Sequence, residues 1–127
     1  MDDRNLVAVA EQAAATSKVL RSPVEGCTVL FDDGRVFLGC RMEYEDAALD
    51  QDALSSALAA GRVEGARRAF RVGMYSPVDA GLPVPGAAGL RRLQEVGVPG
   101  LAVLLSSGSG ERVEKSLDEL LAEAGAA

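Results

Sequence analysis

Two apolar runs separated by an Asp-Gly turn constrain this chain more than any other feature. Gly26-Cys27-Thr28-Val29-Leu30-Phe31 is β-branched and apolar, stops at Asp32-Asp33-Gly34, and resumes as Arg35-Val36-Phe37-Leu38-Gly39-Cys40. Two such runs around Asp-Gly predict a β-hairpin, because the glycine takes the positive φ that a tight turn between twisted strands demands. A lone hairpin is barely stable in water, so other elements must cover it. The flanking sequence supplies them. From Asn5 to Leu20, the residues Leu6, Val9, Ala10, Ala13, Ala14 and Leu20 recur every three or four positions opposite Glu11, Gln12 and Lys18, which predicts an amphipathic helix with Asn5 as N-cap, ended by Ser22-Pro23.

After the hairpin, Arg41 to Asp46 is a polar connection, and Leu49, Ala53, Leu54, Ala57 and Leu58 mark one face of a helix ending near Gly61. A third strand is predicted over Arg68 to Tyr75, and the prolines at 77, 83 and 85 make Ser76 to Gly86 a loop. A short helix follows with Leu90, Leu93 and Val96 inward and Gly97 at its end. Leu101-Ala102-Val103-Leu104-Leu105 has the continuous apolar character of a strand buried on both faces. Arg112-Val113-Glu114-Lys115 reads as an edge strand, and Ser116 with Glu119 forms a capping box for a last helix. Strands alternating with helices after a hairpin predict an α/β fold: a three-layer α/β/α sandwich around a mixed five-stranded sheet, as a single domain over residues 1–127.

Composition narrows function by exclusion. The 19 acidic residues outnumber the 13 basic ones for a net charge of -6, so a nucleic acid partner is not expected. There is no histidine, which removes the usual neutral-pH acid-base group and the commonest imidazole metal ligand. Two cysteines, Cys27 and Cys40, are too few for a disulfide framework. The start Met1-Asp2-Asp3-Arg4-Asn5 is acidic where a secretory signal is basic, and no apolar run reaches membrane-spanning length, so a soluble cytoplasmic protein with no membrane partner is expected.

Three segments, Phe31 to Glu43, Ala48 to Gly61 and Pro85 to Gly97, together resemble the small cytidine deaminases. Residues 31–43, Phe31-Asp32-Asp33-Gly34 through Cys40-Arg41-Met42-Glu43, look like the hairpin and Asn-Val-Glu-Asn loop of that family. Ala48-Leu49-Asp50-Gln51-Asp52-Ala53 onward to Gly61 is similar to its helix opening Cys-Ala-Glu-Arg-Thr-Ala, with about four residues missing before it. Pro85-Gly86-Ala87-Ala88-Gly89-Leu90-Arg91 is similar to its Pro-Cys-Gly-Ala-Cys-Arg segment, and Leu117-Asp118-Glu119-Leu120-Leu121 to its C-terminal Leu-Asp-Glu-Leu-Leu. The resemblance implies the fold, homodimeric or homotetrameric assembly, and a zinc ion on three cysteines that activates water for attack on the pyrimidine. Carried over by residue, the ligand positions fall on Ala48, Gly86 and Gly89 and the glutamate position on Asp50. A methyl group and two glycine hydrogens offer no lone pair to zinc, so no metal cofactor is expected.

The expectation is therefore a deaminase-like protein without its zinc site, a binding or partner subunit for a small polar or nucleoside-like ligand. Arg41 and Glu43 stand where that family binds ribose: Glu43 can accept from a hydroxyl, and Arg41 suits a carboxylate or phosphate. The alternatives are a metal-free enzyme working through Asp50 on another small substrate, and a deaminase drawing metal ligands from elsewhere. At the start of a helix, Asp50 reads first as a capping or surface carboxylate. Glu43, Glu45, Asp46, Asp50 and Asp52 read as a solvated acidic rim or a hard-cation site. Gly86 to Gly89 reads as a tight helix start or an anion cradle, Cys27 and Cys40 as packed strand residues, and Arg67, Arg68 and Arg71 as a solvated edge or interface.

Overall fold

The computed structural model describes residues 1–125, so the last two positions of the expected domain lie outside it. The hairpin forms as predicted: β1 (Gly26–Phe31) pairs antiparallel with β2 (Val36–Cys40), Cys27 facing Gly39 and Leu30 facing Val36, with Gly34 at φ 87° in the turn. On its other edge β1 pairs antiparallel with β3 (Ala69–Ser76), β3 runs parallel to β4 (Gly97–Ser107), and β4 is antiparallel to β5 (Arg112–Ser116). The order β2-β1-β3-β4-β5 makes the mixed five-stranded sheet of an α/β fold.

Helices cover both faces, as alternate residues of β1 show. Cys27, Val29 and Phe31 point into the main core with Ala53, Leu54, Ala57 and Leu58 of α2 (Ala53–Val63), Leu90 and Leu93 of α3 (Ala87–Val96) and Leu120 and Leu121 of α4 (Leu117–Glu123). Thr28 points the other way, fully buried, and its hydroxyl donates to the Leu6 carbonyl of α1 (Asp3–Ala14). Ser116 and Glu119 form the predicted capping box at α4. Arg71 bridges Asp3 of α1 and Glu114 of β5, and Arg68 donates to the Gly97 carbonyl, so both tie elements together instead of forming a basic edge. Among the described residues no helix is long and apolar enough to cross a membrane.

Three boundaries differ from expectation, each for a tertiary reason. α1 is capped by Asp2, which accepts from the Asn5 amide, and it stops at Ala14 instead of Leu20. The chain leaves the helix there because the Ser17 hydroxyl and Lys18 amide both donate to the Arg41 carbonyl, while the Glu43 amide donates to the Lys18 carbonyl. The second helix begins at Ala53, not Leu49. Residues 47–49 form a separate 3-10 turn capped by Asp46, after which Met42 and Gln51 exchange backbone hydrogen bonds and hold the chain extended up to Asp52. β4 is longer than its apolar stretch, starting at Gly97 directly after α3.

Candidate functional site

Three segments converge at one end of the sheet: the loop after β2, the N-terminus of α2 and the N-terminus of α3. Glu43 sits in the loop with its side chain fully buried, and it is already satisfied. One carboxylate oxygen accepts from the amides of Leu20 and Arg21 (2.6 Å each) and Ser22 (3.3 Å), and the other accepts from Arg41 Nε at 2.8 Å. Hydrogen bonding from Ser22, then from Arg41 and the Arg21 and Leu20 amides, outweighs desolvation and holds this carboxyl well below the usual range. It remains an anion under all ordinary conditions. Its acceptor capacity is spent on the 18–22 segment, which it fastens to the end of β2.

Asp50 is partnered as well. Its carboxylate accepts from Arg21 at 2.6 and 2.8 Å and from the Tyr44 amide at 2.9 Å, while Arg41 lies 3.7 Å away. Arg21 first, and the Tyr44 amide second, pull its pKa down. Asp50 therefore does not cap α2; it joins Arg21, Arg41 and Glu43 in one ionic network. Arg41, half-buried, has both acidic neighbours within reach, so the cation expected to attract a carboxylate or phosphate is already compensated.

Gly86 and Gly89 lie at the start of α3, Gly86 as an N-cap that offers no side-chain hydrogen bond. Ala48 does not meet them, because it is exposed on the 3-10 turn. The residue that does is Asp52. A Cβ on Gly89 would stand 2.6 Å from Asp52 Oδ2 and 3.4 Å from Leu54 Cδ2, whereas one on Gly86 would meet open space. Asp52 caps α2 by accepting from the Ser55 amide at 2.9 Å, and the same carboxylate lies against the first turn of α3, where the helix dipole also favours a negative charge. The space beside Gly89 is thus taken by a carboxylate of the chain itself. Replacing Asp52 by alanine is expected to cost about 1 kcal/mol for the lost cap, measured by urea denaturation.

The expected acidic rim is dispersed among these roles. Glu43 and Asp50 are paired to arginines, Asp46 accepts from the Ala48 amide and Asp52 caps α2. Among the described residues no group of three His, Cys, Asp or Glu side chains is placed to hold a metal ion. Both cysteines are free thiols; Cys27 is fully buried in the core, and burial, followed by the charges of Glu25 and Asp52, pushes its pKa well up and leaves it unreactive.

Two hollows flank this region. A groove of about 610 Å³ runs between α2 and α3 past Asp52, Ser55 and Ser56; of its two arginines, Arg62 and Arg92, the latter donates to the Ser55 hydroxyl. A smaller cleft of about 320 Å³ opens on the other side, lined by Ser22, Glu25, Arg41 and Ser76 and walled by Leu82 and Pro83. Glu25, which precedes β1, belongs to none of the motifs of the sequence. It accepts from the Ala53 amide at 3.4 Å, and burial pushes its carboxyl up from the ordinary value while that amide and Arg41 pull it down and Asp52 raises it further. The sequence holds one pointer to it, an acid directly before a buried strand.

No family model matches the chain, and no curated protein matches it. Solved structures do match. The chain is similar to the cytidine deaminase of Burkholderia pseudomallei, with 25% identity over 98% of this chain and 99% of that one and a TM-score of 0.88. It is similar to the cytidine deaminase of Mycobacterium tuberculosis at 26% identity, covering 98% and 97% of the two chains with a TM-score of 0.80. The cytidine deaminase of Mycobacterium leprae superposes with a TM-score of 0.79 at 22% identity over 95% and 98%. In its sheet order, its layers and nearly its full length, the chain has a cytidine deaminase-like fold.

Proposed function

We propose that this protein is a deaminase-like domain that works without a catalytic metal, binding a small polar or nucleoside-like molecule at the end of the sheet where α2 and α3 begin. One observation carries this reading: the space beside Gly89 holds the Asp52 carboxylate and a Leu54 methyl group. The start of α2 at Ala53 supports reading the Cys-Ala-Glu pattern of the resembled family onto Asp52, Ala53 and Leu54, four residues beyond the position expected from sequence. A single carboxylate beside two glycines offers one oxygen-donor group where zinc would need three protein ligands, and the fully buried Leu54 has no proton to shuttle. The residues present do not fit that metal.

A metal-free enzyme working through Asp50 is less well supported, since a carboxylate held by Arg21 and the Tyr44 amide with a lowered pKa is a weak base. Elemental analysis of the purified protein, paired with an assay of cytidine for uridine, tests the proposal. Zinc far below one per chain and no uridine are expected. One zinc per chain together with uridine formation would overturn it.

A further inference from the structure

Glu25 is the one charged group lining the smaller cleft whose charge the chain leaves unpaired. Among the described residues it makes no ion pair, and its sole hydrogen bond is the long one from the Ala53 amide, to Oε1. Arg41, the other charged residue lining that cleft, turns Nε to Glu43 and sits near Asp50. The local balance is accordingly negative: Glu25, Glu43, Asp50 and Asp52 stand against Arg21, Arg41 and Arg92, the last of which lies 3.9 Å from Asp52. A cleft with negative surroundings and a carboxylate oxygen uncommitted to any donor favours a ligand that brings N–H donors and positive charge, and it disfavours an anion. The lining also includes the apolar Leu82, Pro83 and the exposed Val84, which suit the flat face of a ring.

We infer that Glu25 is the recognition residue of this cleft and that the ligand is a small ring compound bearing a cationic amidine-like group, whose N–H donors meet the Glu25 carboxylate while the ring lies against Leu82 and Pro83. The inference rests on the reading of a metal-free binding cleft and deepens it by naming the ligand chemistry. It reverses the preference for carboxylate or phosphate drawn from Arg41 alone. The hydroxyls of Ser22 and Ser76, which also line the cleft, provide further polar contacts at its rim.

Three probes of one shape and different charge test it on the full chain: benzamidine, benzamide and benzoate, titrated while backbone amide NMR shifts are followed. Benzamidine is expected to shift the amides of Ser22, Glu25 and Ala80 saturably, benzamide to bind more weakly, and benzoate to leave them unmoved. Glu25→Gln, which keeps the side chain's shape, is expected to weaken benzamidine binding about tenfold, whereas Glu95→Gln in the other groove leaves it unchanged. Equal benzamidine affinity in Glu25→Gln, binding of benzoate at least as strong, or no saturable shift with benzamidine would overturn the inference. If Glu25→Gln does not fold, the order of the three probes on the unaltered protein decides alone. Zinc-dependent uridine formation would sink the metal-free reading, whereas the charge preference of the cleft is read independently of it.

Discussion

Glu43→Ala is expected to lower the melting temperature of this domain by roughly 10 °C, measured by circular dichroism at neutral pH. The carboxylate is buried and accepts from three consecutive amides, those of Leu20, Arg21 and Ser22, as well as from Arg41. Alanine strands all four donors at once, and leaving buried donors unsatisfied costs more than the bonds contribute when made. The damage spreads, because Arg21 reaches Asp50 and the Tyr44 carbonyl from that same segment. Glu43→Gln separates acceptor from charge: its carbonyl still serves the amides, but its NH2 faces Arg41, so an intermediate loss is expected. The pH dependence follows from the sign of the shift. A carboxyl whose folded pKa lies below its unfolded value contributes stability that is complete above the unfolded pKa and fades as pH falls toward the folded one. From about pH 4 down to about pH 2, the unaltered protein should therefore lose stability more steeply than Glu43→Gln. Asp50 is shifted the same way and adds to that slope.

Much of this fold is legible in the sequence where local and long-range demands agree. The hairpin is legible because Asp32-Asp33-Gly34 supplies its turn and both flanking runs suit strands, and α4 because its capping box is local. The loop after β2 is not, because its geometry is set by partners far away in the chain. Nothing in Ala15-Thr16-Ser17 forbids another helical turn; the Arg41 carbonyl draws Ser17 and Lys18 out of the helix. Leu49 fits the helical period of Ala53 and Leu54, yet it lies 58% exposed, because the Met42–Gln51 bridge stops the helix from extending backwards. Ala48 and Asp50 accordingly lie on and just after a turn that precedes the helix, and the residues beside Gly89 are Asp52 and Leu54. The sequence puts Arg41 and Glu43 in the loop after the hairpin, but their mutual ion pair, which takes both away from a ligand, is a matter of side-chain direction that spacing does not encode. Glu25 is illegible for the same reason: the approach of α2 brings the Ala53 amide to this half-buried carboxyl.

That approach depends on Gly39, and Gly39→Ala is expected to destabilise the domain by about 3 kcal/mol, measured by chemical denaturation. A Cβ at this position would stand 2.3 Å from the Ala57 nitrogen and 2.6 Å from the Ala53 oxygen, both main-chain atoms of α2. Backbone in the middle of a hydrogen-bonded helix cannot turn aside as a side chain can. At Gly89, by contrast, the nearest atom is the end of the Asp52 side chain, and at Gly34 nothing lies within 4 Å. To admit one methyl group at 39, α2 must lift from β2 as a unit. Its first residues then carry the Ala53 amide away from Glu25 and the Asp52 carboxylate away from Gly89, loosening both contacts that define the end of the sheet. Gly39→Ala should thus weaken benzamidine binding as well as stability, though residue 39 lines neither hollow, while Gly34→Ala, strained at its positive φ, should lower stability and leave the cleft's affinity intact. Comparing the two variants by denaturation and by titration separates a general loss of stability from a displacement of α2. If Gly39→Ala kept full affinity, the placement of Glu25 would not depend on how closely this helix packs.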